Sequence, residues 1–149
     1  MKIDRETGNL PKTDWLLLGE TTLWLFLTRL AIISLPFNLV IRNCGVPNTQ
    51  SSKYLSPGQR DVVDQITWAI DAVRWVTPWD SNCLARAITG KRMLRRRGLS
   101  STLYLGVNKS KPQTLEAHAW LRCGDRYITG VPENENFTTV ATFAELPNP

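Results

Sequence analysis

The chain has 149 residues, 42% of them apolar, with six tryptophans. That is enough to bury one core and lies outside the composition of disordered proteins; the length fits a single domain. The net charge of +5 and pI near 9.4 suit an acidic partner, but the basic residues lack aromatic interleaving and any groove-reading motif, which argues against nucleic acid. A zinc centre would have to gather Cys44, Cys83, Cys123 and the sole histidine, His118, and no spacing supports that.

Residues 1–12 are polar, with Asp4, Arg5 and Glu6, and do not read as a signal peptide; with an odd number of cysteines, this points to reduced thiols in the cytoplasm. Thr13 or Asp14 can cap a helix from about Trp15 to Ser34, closed by Pro36. This helix is apolar nearly all round and close to the roughly 20 residues of a membrane span. Glu20 and Arg29 interrupt it, and a charge near the middle costs roughly 2.5–3.5 kcal/mol. A buried or partner-facing helix is therefore the first expectation, peripheral membrane contact the second and a true membrane span the third.

Residues 37–54 read as a connector containing Gly45, Pro47 and a polar run. Ser56, Pro57 and Gln59 then give a capping box with proline at the first helical position. Val62, Ile66, Ala69, Ile70, Val73 and Val76 form one helical stripe that ends before Pro78. Asp80 or Ser81 opens the next helix, which carries Leu84, Ala87, Ile88 and Leu94 inward and stops at Gly98. Lys91, Arg92, Arg95, Arg96 and Arg97 crowd its end, as a solvated face or a dock for an acidic partner.

From Ser100 the period changes to alternation. Strands are expected at 102–107, 117–122 and 126–129, with an edge strand at 137–143. Helices followed by strands give an α+β fold: N-terminal helices packed on a small antiparallel sheet. Residues 1–55 form the N-terminal helical segment and connector, packed on a core made by residues 56–149.

Cys83 falls on the first turn of its helix, where unsatisfied N–H groups favour thiolate over thiol. His118 lies on a strand, and together the two supply a nucleophile and a proton carrier for acyl transfer. The Cys83 backbone N–H is a candidate oxyanion donor. Spacing alone leaves open a structural cysteine and an unrelated histidine.

Four stretches occur in order: Ser81-Asn82-Cys83-Leu84-Ala85-Arg86-Ala87, Arg96-Arg97-Gly98-Leu99, Leu103-Tyr104-Leu105-Gly106-Val107 and Glu116-Ala117-His118-Ala119-Trp120-Leu121. The set resembles the stand-alone protease half of the lasso-peptide biosynthesis B proteins, within the transglutaminase-like (papain-like) cysteine protease superfamily. The likeness runs from about residue 80 to residue 143, and the leucine-rich helix ending in Leu35-Pro36-Phe37 is also similar.

This resemblance implies a cysteine leader peptidase, with Cys83 as nucleophile and His118 as base and no metal or cofactor. Its implied partners are the lasso precursor peptide, a leader-recognition protein and an ATP-dependent macrolactam synthetase. The penultimate threonine of the leader is the implied recognition feature.

The superfamily pattern places an aspartate on the strand after the histidine. With a three-residue loop at 123–125, the facing position here is Gly130. Asp125 lies roughly 17 Å along the strand from His118. The third role is then empty, taken by a backbone carbonyl or water, or filled by Glu116, Asn134 or Asn136. A related thiol acyltransferase, or a non-catalytic peptide-docking module on a degenerate scaffold, are the competing readings. Trp120 is expected in the core or walling the site, and Cys44 and Cys123 as small buried hydrophobes.

Overall fold

A computed structural model describes residues 14–74, 83–108, 116–130 and 137–145. Its elements are α1 (Asp14–Ser34), α2 (Phe37–Arg42), β1 (Val46–Pro47), α3 (Pro57–Arg74), α4 (Cys83–Arg96), β2 (Thr102–Asn108), β3 (Glu116–Cys123), β4 (Arg126–Thr129) and β5 (Phe137–Ala144). The strands form one antiparallel sheet in the order β1-β5-β2-β3-β4, so the fold is α+β.

The capping signals act as their chemistry dictates. The Ser56 N–H donates to Gln59 Oε1 at 3.0 Å, and the Gln59 N–H donates back to Ser56 Oγ at 3.3 Å. At the other end of the helical layer, Gly98 adopts φ +72. The Leu99 N–H then reaches Leu94 O and the Gly98 N–H reaches Arg95 O, both at 3.0 Å, which closes α4. The expected caps at Asp80 and Ser81, and the end of α3 toward Pro78, lie outside the described residues.

Alternation along β3 divides the sheet into two unlike faces. Ala119, Leu121 and Cys123 join Leu103, Ile128 and the inward stripes of α3 and α4 in one buried cluster. A Cβ on Gly90 of α4 would lie 2.8 Å from the Leu121 side chain, so this face carries the helices. The opposite face holds His118, Trp120 and Arg122 beside their β2 partners Gly106, Tyr104 and Thr102. Trp120 stacks on Tyr104 at 5.5 Å between ring centroids. Gly106 makes room for it, since a Cβ there would sit 2.6 Å from the indole.

The stretch read as a connector contains α2 and β1. A six-residue helix is too short to show a period, yet it buries Val40 and Ile41. Gly45, at φ +120, lets β1 reach β5, because a Cβ would meet Ala144 O at 2.6 Å. Residues from α1 to Leu55 therefore contribute to the same core as the sheet, with Val40, Ile41, Cys44 and Leu55 inside it.

Two expectations need revision. The basic run at the end of α4 is turned onto the protein itself. Arg97 and Arg96 pair with Glu20 of α1 at 2.8 and 3.4 Å, and Arg92 and Arg96 lie over the Trp24 ring. Lys91 and Arg95 pair with Glu145 at 2.9 and 3.0 Å. The second concerns α1, expected to be buried or partner-facing, which is buried along one side and exposed along the other. It turns Thr21, Leu25 and Thr28 inward and leaves Trp15 and Leu16, each 83% exposed, on an outer face. Threonine is tolerated inside because its hydroxyl bonds within the helix layer: Thr21 Oγ1 donates to Leu17 O at 2.7 Å.

Candidate active site

Cys83 is the first residue of α4, partly buried and packed against the main core cluster. All three cysteines are reduced thiols, but their surroundings differ. Burial pushes the Cys123 thiol up to about 11 and raises that of Cys44. Each of these two thiols also contacts a backbone carbonyl, Cys44 that of Val40 and Cys123 that of Ser100. They are inert core groups, as the sequence suggests.

His118 lies on β3 opposite Gly106. Its Nε2 is 2.7 Å from the carbonyl oxygen of Gly130. A carbonyl can only accept, so Nε2 carries the proton and, in the neutral ring, Nδ1 presents the basic lone pair. Trp120 at 6.0 Å and Phe137 at 5.2 Å flank the imidazole. Trp120 is thus both buried and a wall beside the ring.

The third position departs from the three-residue loop expected. The turn is Gly124–Asp125, with Cys123 paired to Arg126 and a register shift between Leu121 and Arg122. The irregularity brings the backbone of Gly130, at φ +67, to the ring. A Cβ at position 130 would lie 2.5 Å from Ala119 O, so no side chain fits there. The orienting group is a main-chain carbonyl. Asp125 is engaged elsewhere, 3.3 Å from Arg60. Asn134 and Asn136 lie outside the described residues, and Glu116 is placed only as the strand residue paired with Asn108.

The direction of α4 sets the relation between thiol and imidazole. Lys91 and Arg95 reach Ser101 and Glu145, beside the Thr102–Ala144 end of the sheet. Gly90 rests on Leu121. Cys83 lies two turns before Gly90, about 10 Å along the axis, and His118 lies three residues before Leu121, also about 10 Å. Both therefore fall toward the end of the sheet away from the Lys91–Glu145 pair. The imidazole belongs to the Trp120 face, whereas α4 covers the Leu121 face. Of the alternatives for the third position, the backbone carbonyl is the one found, and it is that of Gly130; Phe137 beside the ring was not legible as a site feature, since an aromatic edge residue carries no chemical signature of its own.

The chain matches the family model of the transglutaminase-like superfamily over residues 29–142, a span that begins in α1, includes Cys83 and His118, and ends in β5. It belongs to that superfamily, which includes cysteine proteases and acyltransferases. No curated protein and no solved structure matches the chain.

Proposed function

We propose that the protein is a cysteine peptidase that removes the leader from a ribosomally made lasso-peptide precursor, with Cys83 as nucleophile and His118 as base. The observation that carries this reading is the hydrogen bond from His118 Nε2 to Gly130 O. It fixes the tautomer that a thiol-activating base needs, with Nδ1 as the acceptor, and does so where the superfamily pattern leaves a missing aspartate.

In this reaction the Cys83 thiol gives its proton to His118 Nδ1, and the sulfur attacks the carbonyl carbon of the last leader residue. The oxyanion forms against the N–H groups at the start of α4. The imidazolium then protonates the leaving amine, which is the freed N-terminus of the core peptide, and a thioester remains on Cys83. Water, deprotonated by Nδ1, releases the leader as a carboxylic acid and restores the thiol. The reading requires sulfur and Nδ1 to meet past the strand end, since ring and helix belong to opposite faces of the sheet. The leader-recognition protein would present the substrate, and the macrolactam synthetase would consume the product amine.

The test is cleavage of a lasso precursor by wild type, Cys83→Ala and His118→Ala, with and without the leader-recognition protein. Cys83→Ala is expected to release no leader, and His118→Ala to slow release by about 10²–10⁴-fold. Leader release by Cys83→Ala would end the assignment. Binding of the precursor without cleavage by wild type would make the protein a docking module. Leader–amine adducts formed with added amines would make it an acyltransferase.

A further inference from the structure

β5 is paired along its whole length by β2 on one side, but by much less on the other. Among the described residues, the strand beyond it is β1, which pairs only with Phe143 and Ala144. The Asn48 N–H then reaches Thr142 O at 2.8 Å. Asn48 has φ +58, and the chain leaves the edge there for the Trp120 face, where the Ser51 N–H donates to Thr102 Oγ1 at 2.8 Å. Residues 137–141 are left with an open edge about 14 Å long, along which Thr138, Thr139 and Val140 are exposed. The outward groups can be assigned. Thr142 O faces β1, and Thr138 O faces β2, since a Cβ on Gly106 would lie 3.2 Å from it. Strand alternation therefore directs the N–H and C=O of Phe137 and Thr139 outward.

The other edges of the sheet are guarded. Arg126 of β4 pairs with Asp64, and Asp125 beside it with Arg60, both on α3. β1 ends in Pro47, which has no N–H to offer. β5, from Phe137 to Ala144, carries neither charge nor proline, the composition of a strand that accepts another. Two features indicate what pairs there. The open edge begins at Phe137, whose ring lies 5.2 Å from that of His118, so it is continuous with the candidate active site. β1 supplies a direction, since it runs antiparallel to β5 toward the His118 end. A strand continuing its line would deliver its C-terminal end to the site, as residues preceding a scissile bond must.

We propose that the β5 edge, through the main chain of Phe137 and Thr139, binds the leader side of the substrate as an added antiparallel strand. The identity of the peptide rests on the peptidase reading; the open edge does not. From this added strand to β3 is three strand spacings, about 14 Å, which about four extended residues cover. The paired segment of the leader then begins about five residues before the scissile bond. A second copy of the chain fits the edge less well. Leu105 pairs with Ala141 and Gly106 with Thr139, so Val140 forms a bulge. Its added twist can be followed by one flexible strand but not by another rigid sheet edge. Five edge residues also fall far short of the roughly 800 Å² per partner that a stable interface buries.

The experiment is titration of the full chain with a fluorescein-labelled leader peptide that ends at the cleavage site, read by anisotropy, so that no bond is cut. The backbone amides of its paired segment are N-methylated one at a time. Methylation at alternate positions is expected to weaken binding on the order of tenfold, and at the intervening positions to have no effect. Hydrogen exchange should show the Phe137 and Thr139 amides gaining protection, with that of Thr138, already turned to β2, unchanged. Thr139→Pro removes an outward N–H that β2 does not use, so affinity should fall while the melting temperature holds. Should this variant misfold, the methylated peptides still decide, because they act on the wild-type protein. A wild type that binds no leader, or binds every methylated peptide equally, would overturn the proposal. A dimer in light scattering, split by Thr139→Pro in a protein that binds no leader, would assign the edge to self-association instead. Alternating leader binding by a protein that cuts no precursor would support the edge and defeat the peptidase reading. Cutting indifferent to the methyl groups would do the reverse.

Discussion

The two ends of the sheet are built on different chemistry. At the Thr102–Arg122–Ala144 end, polar groups are buried and tied down several times over. Lys91, with 2% of its side chain exposed, donates to Ser101 O at 2.7 Å and pairs with Glu145. The Ser101 N–H also donates to Glu145, at 3.1 Å. Arg122 donates to the carbonyls of Gly124 and Ser51 and to the Tyr104 hydroxyl. At the Gly106–His118 end, one hydrogen bond among the described residues, to Gly130 O, holds the imidazole between two aromatic rings. One end gathers charge to fix the sheet against α4; the other leaves a proton acceptor with one lone pair to spend. A fold that anchors its sheet at one end can leave the opposite end chemically available.

The largest effect is expected from breaking the anchored end. Burial opposes the charge on Glu145, but the Lys91 ammonium and the Ser101 N–H hold its carboxyl below the usual range. Glu145→Gln strands the Lys91 charge in the interior and should cost about 3–5 kcal/mol in urea unfolding. Lys91→Met should cost clearly less, because Glu145 keeps Arg95 and the Ser101 N–H. Equal losses would show that the buried charge is not what matters there.

At the reactive end, Gly130→Ala forces a Cβ against Ala119 O in a left-handed backbone. It should cost about 1–3 kcal/mol and displace the carbonyl from the ring, lowering cleavage more than it lowers binding of the precursor. Wild-type kcat in this variant would remove Gly130 from the orienting role.

Thiol labelling gives a smaller, binary readout. Iodoacetamide on native protein should modify Cys83 alone, since Cys44 and Cys123 are buried and their thiols are raised; peptide mass spectrometry locates the adduct. The smallest effect lies between the ends. Arg97, by hydrogen bond and by charge, holds the Glu20 carboxyl below the ordinary glutamate range. The folded-state value is depressed, so this α1–α4 tether is at full strength above the unfolded value, about 4.3, and weakens as pH falls through the folded one. The melting-temperature gap between wild type and Glu20→Gln should therefore close in acid. A gap that persists there would show that the pair contributes nothing.

Much of this was legible in the chain. Ser56 and Gln59, Gly98, and the change of period at Ser100 each act through neighbours a few residues away, so local chemistry determined the elements they begin or end. Pairings over long separations were not legible. Nothing near Arg97 marks Glu20 as its partner, and nothing near Lys91 marks Glu145. A run of five basic residues looks the same in sequence whether it faces water or ties three elements together. For α1, composition gave the length of the helix but not the side that packs inward: Thr21 and Thr28 are buried, whereas Thr22, with the same hydroxyl-to-carbonyl bond as Thr21, is exposed. Gly130 was identified as a gap in a pattern; that its main chain fills the gap depends on a register shift at Leu121 that no residue type announces.

Using a peptide carbonyl in place of a carboxylate has a consequence beyond geometry. An aspartate in that position would lose its charge in acid and let the ring swing, whereas an amide oxygen has no proton to gain over the working range. The imidazole's bearing is therefore insensitive to acidity. In the proposed reaction the same substitution would withhold a full negative charge from the imidazolium, so positional constancy would come with weaker electrostatic support for that cation.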